Sequence, residues 1–335
     1  MTFEQSGMSR RALLAAAALL PLPVGRAEAS AAAPPSAKAY YDRAARLAGH
    51  DPVLRQLVKG LSPGAQMPTV QAPKPLRIFD NVAVVSTGFV SATALLTSQG
   101  VILIDALESP DQAEKIIVPQ LRSLGADPSA IKYVVVAHAH SDHFGGAQYL
   151  ADRYGARVMM SPADWALVAR DSSPHVPKRD LDIAHGQRLT LGDSTITFHH
   201  TPGHTPGTVS PIFPVRWKGR RHTAMLWGGT NPPAATAEKR TYVSSVLAFA
   251  AAMRRAGVDV ELMNHGMSDN GLVRMEELRA APAGRANPFV LGSARAQRFM
   301  QVMEIMLRGR IATDEAAGTT ARPAAMTASS SPACC

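Results

Sequence analysis

The stretch VVVAHAHSDHFGG, Val134 to Gly146, joins an apolar run directly to a cluster of polar side chains. Three histidines and one aspartate lie within six positions: His138, His140, Asp142 and His143. The apolar run is typical of a strand that is buried on both faces. Because open α/β sheets carry their chemistry at the ends of such strands, this cluster is predicted to form a functional site.

The residue types in this cluster indicate metal binding. Zinc prefers neutral imidazole and carboxylate ligands, and a catalytic zinc site keeps one position open for water. His138 and His140 alternate, so an extended turn directs both toward one point, while Asp142 and His143 reach a neighbouring point. Two ions accommodate all four side chains, and a two-metal cleft activates a bridging hydroxide. A polar surface loop is the plainer alternative, but it does not explain a position at the end of a buried strand.

Two later histidines occupy similar positions. His204 lies in the turn TPGHTPG after one predicted strand, and His265 ends another in LMNHG. A lone histidine at a strand end is usually structural. Two of them, each placed as the first cluster is placed, are predicted to complete the metal site.

The surrounding pattern predicts an α/β fold. VAVVS, ATALLTS and VILIDA indicate a strand meander, and a hairpin is predicted around Gly192 and Asp193. One helix is expected from Ser109 to Gly125 and another from Tyr40 to Leu61. Two β-rich halves that each carry helices predict two sheets packed face to face with helices outside, a four-layer αβ/βα sandwich.

The chain divides into four predicted segments. Residues 1–29 form a signal peptide, 30–76 a helical extension and linker, 77–311 the main α/β domain, and 312–335 a disordered tail. Arg10 and Arg11 precede the apolar run Ala12 to Val24, which is too short to span a bilayer. Ala27 and Ala29 offer a cleavage site, so twin-arginine export to the periplasm or medium is expected, with no membrane association afterwards.

The composition of the chain limits the classes of protein and of binding partner that need to be considered. The 335 residues are 46% hydrophobic and 18% charged, as in globular proteins. The net charge is +9, but the one tight basic cluster, Arg216 to His222, has the pattern of a hairpin tip, so nucleic-acid binding is not expected. Cys334 and Cys335 are the only cysteines, which excludes an internal disulfide framework. A small-molecule substrate is the partner that remains.

These motifs together resemble the metallo-β-lactamase superfamily. The likeness rests on the HAHSDH cluster, the TPGHTPG turn and the late strand-end histidine, and it spans roughly Arg77 to Ile311. It implies the αβ/βα sandwich and a di-zinc hydrolase. By this resemblance one zinc is held by His138, His140 and His204, and the other by Asp142, His143 and His265. Asp142 would also orient the nucleophile.

The substrate is not determined by the fold, since the superfamily cleaves β-lactams, lactones, thioesters and phosphodiesters. Members such as glyoxalase II and the acyl-homoserine lactonases carry an aspartate that bridges both metals. Here no aspartate occurs from Ser194 to Val258, and the strand end at that point reads LWGGTN. The ligand set therefore resembles β-lactamases of class B, subclass 3, which predicts a β-lactam-hydrolysing, antibiotic-resistance enzyme. A lactonase or other ester hydrolase, or a non-catalytic zinc-binding protein, are the alternatives.

The remaining histidines and tryptophans receive less specific interpretations. His175 lies in a proline-containing segment predicted to border the cleft and is a candidate for substrate contact. His199 and His200 end a strand just before the His204 turn, so one of them is a candidate for supporting the site. Trp165 and Trp227 are predicted to lie in the core.

Overall fold

The computed structural model describes residues 35–318 except 67, 69 and 283. The predicted signal peptide and most of the predicted tail lie outside the described residues.

Ten α-helices and twelve strands occur within the described part of the chain. The helices are α1 (Ala37–Ala48), α2 (Pro52–Leu61), α3 (Pro110–Gln112), α4 (Val118–Ser123), α5 (Ser141–Phe144), α6 (Ala147–Tyr154), α7 (Pro162–Val168), α8 (Thr236–Ala256), α9 (Gly271–Ala280) and α10 (Ser293–Ala316). The strands are β1 (Leu76–Phe79), β2 (Val82–Ser86), β3 (Ser91–Thr97), β4 (Gly100–Ile104), β5 (Ile131–Val135), β6 (Arg157–Met160), β7 (Leu181–Asp182), β8 (Arg188–Leu191), β9 (Ser194–His200), β10 (Val209–Trp217), β11 (Arg220–Trp227) and β12 (Val260–Met263).

The strands form two mixed sheets. The first has seven strands in the sequential order β1 to β7, and the second has five in the order β12-β11-β10-β9-β8. The meander β1 to β4 is antiparallel, whereas β4, β5, β6 and β7 pair in parallel. In the second sheet β12 pairs parallel to β11, while the other pairs are antiparallel.

Three apolar clusters define the layers. One lies between the sheets and contains Ile104 and Val135 from the first sheet and Phe198, Phe213 and Leu262 from the second. The other two pack helices on the outer faces, α4, α6 and α7 on the first sheet and α1, α2, α8 and α10 on the second. The predicted αβ/βα sandwich is confirmed, since each sheet buries one face against the other sheet and one against helices.

The helix predicted from Tyr40 to Leu61 is instead two helices. Gly49 has a positive φ of 54°, and its N–H bonds back to Ala45, which ends α1. Asp51 then caps α2 by accepting hydrogen bonds from the N–H groups of Val53 and Leu54. The helical periodicity of the apolar residues continues across both helices, so it did not indicate the helix end at Gly49 or the N-cap at Asp51.

The helix predicted from Ser109 to Gly125 is also interrupted. A π-helical turn, Ala113–Ile117, separates α3 from α4. Pro119, near the start of α4, has no N–H to continue the regular ladder, and the wider turn lies directly before it.

The helices near both ends of the described chain belong to the layer outside the second sheet. Helix α10 continues to Ala316, so the first residues beyond the expected boundary at Ile311 are helical. Helices α1 and α2 pack on α10 within the apolar cluster that covers the second sheet, so the predicted extension is part of this layer. In the part of the chain that the structure describes, no helix combines the length and apolar character needed to cross a membrane.

Candidate metal centre

The six predicted ligands meet at strand ends that come from both sheets. His138 follows β5, and His140 immediately precedes α5, the short helix that carries Asp142 and His143. His204 lies in the turn between β9 and β10, and the sixth, His265, follows β12. The side chains form two groups: His138, His140 and His204; and Asp142, His143 and His265.

The first group brings three imidazole nitrogens together. His138 Nε2, His140 Nδ1 and His204 Nε2 lie 3.1 Å from one another in all three pairs. Nitrogens bound to a tetrahedral zinc ion lie roughly 3.3 Å apart, so this spacing fits three ligands of one ion.

The tautomers of the first group strengthen this interpretation. His138 Nδ1 donates to the Gly228 carbonyl at 2.6 Å, and His204 Nδ1 donates to the Asn231 carbonyl at 2.7 Å. In a neutral ring the other nitrogen is then an acceptor. Two acceptors that face each other at 3.1 Å repel unless a cation lies between them.

In the second group two imidazole nitrogens and one carboxylate oxygen converge in a similar way. His143 Nε2 lies 3.1 Å from Asp142 Oδ2 and 3.2 Å from His265 Nε2, and His265 Nε2 lies 3.5 Å from the same carboxylate oxygen. His265 Nδ1 donates to the Phe89 carbonyl at 2.8 Å, which directs its Nε2 lone pair into the group.

Burial keeps the first group neutral. Burial, with the neighbouring imidazoles, lowers the pKa of His138 and of His204 well below the ordinary value, and burial lowers the pKa of His140 to about 4. Metal ligands must be unprotonated to bind, so these shifts favour the ligand form near neutral pH.

Within the second group, His143 favours positive charge, whereas burial lowers the pKa of His265. Burial alone would lower the pKa of His143, but the Asp142 and Asp105 carboxylates raise it well above its ordinary value. Burial alone would raise the pKa of Asp142, yet His143 holds it well below its usual range. A cation within this group would contact the Asp142 carboxylate directly and would interact with Asp105 through the His143 ring.

Glycines bring the loop after β11 close to the first group. A Cβ on Gly229 would lie 2.6 Å from the Cβ of His204, and a Cβ on Gly228 would lie 2.0 Å from the Val209 carbonyl oxygen. Any larger residue at either position would displace the loop whose carbonyls orient His138 and His204.

Sequence reasoning missed Asp105 as a functional residue. This fully buried aspartate accepts hydrogen bonds from His143 Nδ1 at 2.8 Å and from the Ala137 N–H at 2.8 Å. Its φ of 64° is unusual for a residue other than glycine, and such conformations concentrate at functional sites. The signal was present in VILIDA, where a carboxylate ends an apolar strand next to β5.

Tyr242 supports the loop after β11 and was also missed. Its buried hydroxyl lies within hydrogen-bonding distance of the carbonyls of Gly229 and Thr230, and Trp227 Nε1 donates to it at 2.8 Å. Burial raises the pKa of this tyrosine above its ordinary value, so the hydroxyl remains a donor at ordinary pH values. Nothing in the sequence singled this residue out.

The less specific predictions have mixed outcomes. Trp165 and Trp227 are buried in the core as predicted. His200 Nε2 pairs with the Ile183 carbonyl at 2.8 Å, and His199 packs edge-on against Phe249, so their rings face away from the six residues. His175 lies half-buried in the segment after α7, and its contact with substrate stays a prediction.

A first test concerns Asp105. We expect Asp105→Asn to weaken zinc binding by about 10–100-fold, because an amide cannot accept from both His143 and the Ala137 N–H in the same orientation. Competition with a chromophoric chelator measures this. The matched control is Asp259→Asn at the far end of β12, whose carboxylate also accepts from a histidine and a backbone N–H. Equal affinities in both variants would contradict a supporting role for Asp105.

Comparison with known proteins agrees with this geometry. Residues 85–216 match the metallo-β-lactamase superfamily. The structure resembles a subclass B3 metallo-β-lactamase of Bradyrhizobium japonicum, with 25% identity, a TM-score of 0.61, and coverage of 75% of this chain and 98% of that chain. It also resembles a metallo-β-lactamase from Cronobacter sakazakii, with 27% identity, a TM-score of 0.60, and coverage of 72% and 99%.

Curated relatives match over a shorter region. A hydroxyacylglutathione hydrolase of Acidiphilium cryptum is 34% identical over 93 residues, which are 28% of this chain and 35% of that protein. An N-acyl homoserine lactonase of Agrobacterium fabrum is 33% identical over 102 residues, 27% of this chain and 38% of that protein. The match thus spans little more than a third of these relatives.

The sandwich, the two ligand groups and these matches define a metal-binding hydrolase fold. Residues 85–216 match the metallo-β-lactamase superfamily, and the described chain has the metallo-β-lactamase fold.

Proposed function

We propose that this protein is a di-zinc hydrolase that opens β-lactam rings. The observation that carries the proposal is the pair of adjacent three-residue groups, built only from histidine and one aspartate. The likeness to subclass B3 β-lactamases, which extends over 98% of one such chain, supports the substrate class.

The donor set fits zinc at both positions. Each group supplies three nitrogen or carboxylate donors, which leaves room for a further ligand, as catalytic zinc sites require. Bound zinc would supply Lewis-acid polarisation of the substrate carbonyl and a hydroxide nucleophile near neutral pH.

The protein's own residues orient this chemistry. The carbonyls of Gly228, Asn231 and Phe89 fix the rings of three ligands, and Asp105 fixes the ring of His143. Asp142 is the one carboxylate among the six residues. We therefore assign it the role of the hydrogen-bond acceptor that aligns the attacking oxygen.

The loop after β11 favours a β-lactamase over a hydrolase with a metal-bridging aspartate. The two residues that follow this strand are Gly228 and Gly229, and a Cβ on either would collide with Val209 or His204. No aspartate occurs between Ser194 and Val258, so this segment supplies no bridging carboxylate.

A lactonase or thioesterase is the second candidate. It is favoured by the sequence matches to a hydroxyacylglutathione hydrolase and an N-acyl homoserine lactonase. Those matches cover less than a third of this chain, whereas the B3-like structures cover about three quarters.

A substrate screen with zinc-loaded protein tests the proposal. A penicillin, a cephalosporin and a carbapenem are compared with an N-acyl homoserine lactone and a hydroxyacylglutathione thioester. We expect hydrolysis of at least one β-lactam at the highest kcat/KM of the panel. Preference for the lactone or thioester would support the second candidate, and zinc binding without any turnover would support a non-catalytic protein.

Export is a separate proposal that rests on Arg10 and Arg11. Changing both to lysine is expected to leave precursor in the cytoplasm, because the twin-arginine route depends on the arginine pair. Fractionation and immunoblotting of a bacterial host measure the distribution, with Arg43→Lys as control. Unchanged export of the double variant would show that another route carries the protein.

A further inference from the structure

Asp164 is a buried carboxylate that the proposed reaction does not use. It lies in the first turn of α7, is fully buried, and has no place in either ligand group. Its backbone N–H bonds to Ser161 Oγ at 3.2 Å, which is an ordinary helix cap. Its side chain instead points toward two loops that carry metal ligands.

The carboxylate joins those loops with three hydrogen bonds. Oδ2 accepts from the Ala139 N–H at 2.9 Å and from Thr205 Oγ1 at 2.7 Å, and Oδ1 accepts from the Gly207 N–H at 2.8 Å. Ala139 lies between His138 and His140, whereas Thr205 directly follows the third ligand of the first group.

The loops fit closely around Asp164. A Cβ on Gly207 would lie 2.7 Å from its Cγ and 2.0 Å from Ser161 Oγ, so this turn approaches the carboxylate as only glycine allows. Burying a carboxylate is costly unless hydrogen bonds compensate, and burial raises the pKa of Asp164 to about 6 despite its three donors.

We propose that Asp164 is a positioning residue that sets the distance between the two loops of the first ligand group and thereby its zinc affinity. The inference rests on the proposed zinc binding. The effect of Asp164 on zinc affinity is expected to be limited to the first group, because each of its three ligands lies on a loop that is hydrogen-bonded to Asp164. The second group lacks this connection, since Asp142 and His143 lie on α5 and His265 follows β12.

Asp164→Asn preserves size but removes one acceptor. The amide nitrogen must then face either the Gly207 N–H or the Ala139 N–H, so at least one of the backbone hydrogen bonds that hold the two loops is lost. We expect one of the two zinc-binding steps to weaken by about 10–100-fold and the other to remain within a few-fold of wild type. Asp259→Asn, which breaks similar bonds at the far end of β12, is expected to change neither step.

Ligand variants assign the affected step. Stepwise zinc titration against a chromophoric chelator is repeated in two backgrounds, each of which retains one group. In His265→Ala, where the first group remains, Asp164→Asn is expected to weaken the remaining site. In His204→Ala, where the second group remains, it is expected to have no effect.

A second pair of variants applies if Asp164→Asn does not fold. Thr205→Val removes the hydroxyl that donates to Asp164 at nearly constant volume, and Thr205→Ser retains it. We expect the valine variant to weaken the first-group step and the serine variant to restore it. Two-step zinc binding by wild type with unchanged affinities in these variants would overturn the inference alone. Failure of the wild type to bind two zinc ions would overturn the di-zinc proposal as well.

Discussion

His204→Ala is expected to abolish most hydrolysis and to lower the zinc content of the protein. Only two nitrogen donors remain in the first group, and the Asn231 carbonyl loses its donor. Substitution of residues that only support the ligands lowers metal affinity or activity by about 10–100-fold, so loss of a ligand itself should reduce kcat/KM by more than that. Metal analysis after dialysis and steady-state hydrolysis measure the two effects.

His200→Ala is the matched control for this variant. His200 is the last residue of β9, just before the turn that carries His204, but its ring pairs with the Ile183 carbonyl instead of the site. It should therefore retain zinc and turnover. Circular dichroism of both variants should stay native, because the apolar clusters between and outside the sheets do not include these rings. A His204→Ala protein with full zinc content and near-normal hydrolysis would show that the ligand set is misassigned.

Asp142→Asn is the second large expected effect. The side chain keeps its size but loses the negative charge that stabilises positive charge beside His143 and His265. The second group should bind zinc less tightly, and kcat should fall even at saturating zinc, because the nucleophile loses its anionic acceptor.

The zinc dependence of the rate separates these two roles of Asp142. If the aspartate only binds metal, excess zinc should restore kcat in Asp142→Asn. We expect only partial restoration. As comparison, Asp152→Asn changes an exposed carboxylate on α6 and should leave both zinc affinity and kcat unchanged. Full recovery of kcat by zinc would remove Asp142 from the catalytic role and leave it as a ligand.

The six candidate ligands were predictable because their signal is local. HAHSDH places four donors within one turn after a buried strand, and His204 and His265 repeat the strand-end position. The sandwich was predictable for the same reason, since alternating apolar runs and helical periodicities give the order of its layers.

The groups that orient the ligands were not predictable to the same degree. Three of the four ring partners are backbone carbonyls, of Phe89, Gly228 and Asn231, and a carbonyl has no residue-type signature. Asp164 reaches the site only because β6 lies beside β5 in the sheet, which is a tertiary relation. The same limit explains the broken helices, where a cap at Asp51 and a proline at Pro119 overrode periodicity.

We propose that the two adjacent groups of three residues hold two zinc ions. This claim is tested most directly by counting the metal in wild-type protein purified without chelator and dialysed against trace zinc. We expect about two zinc equivalents per chain, because each group has its own three converging donors. A content that never exceeds one equivalent at saturating zinc would contradict the claim.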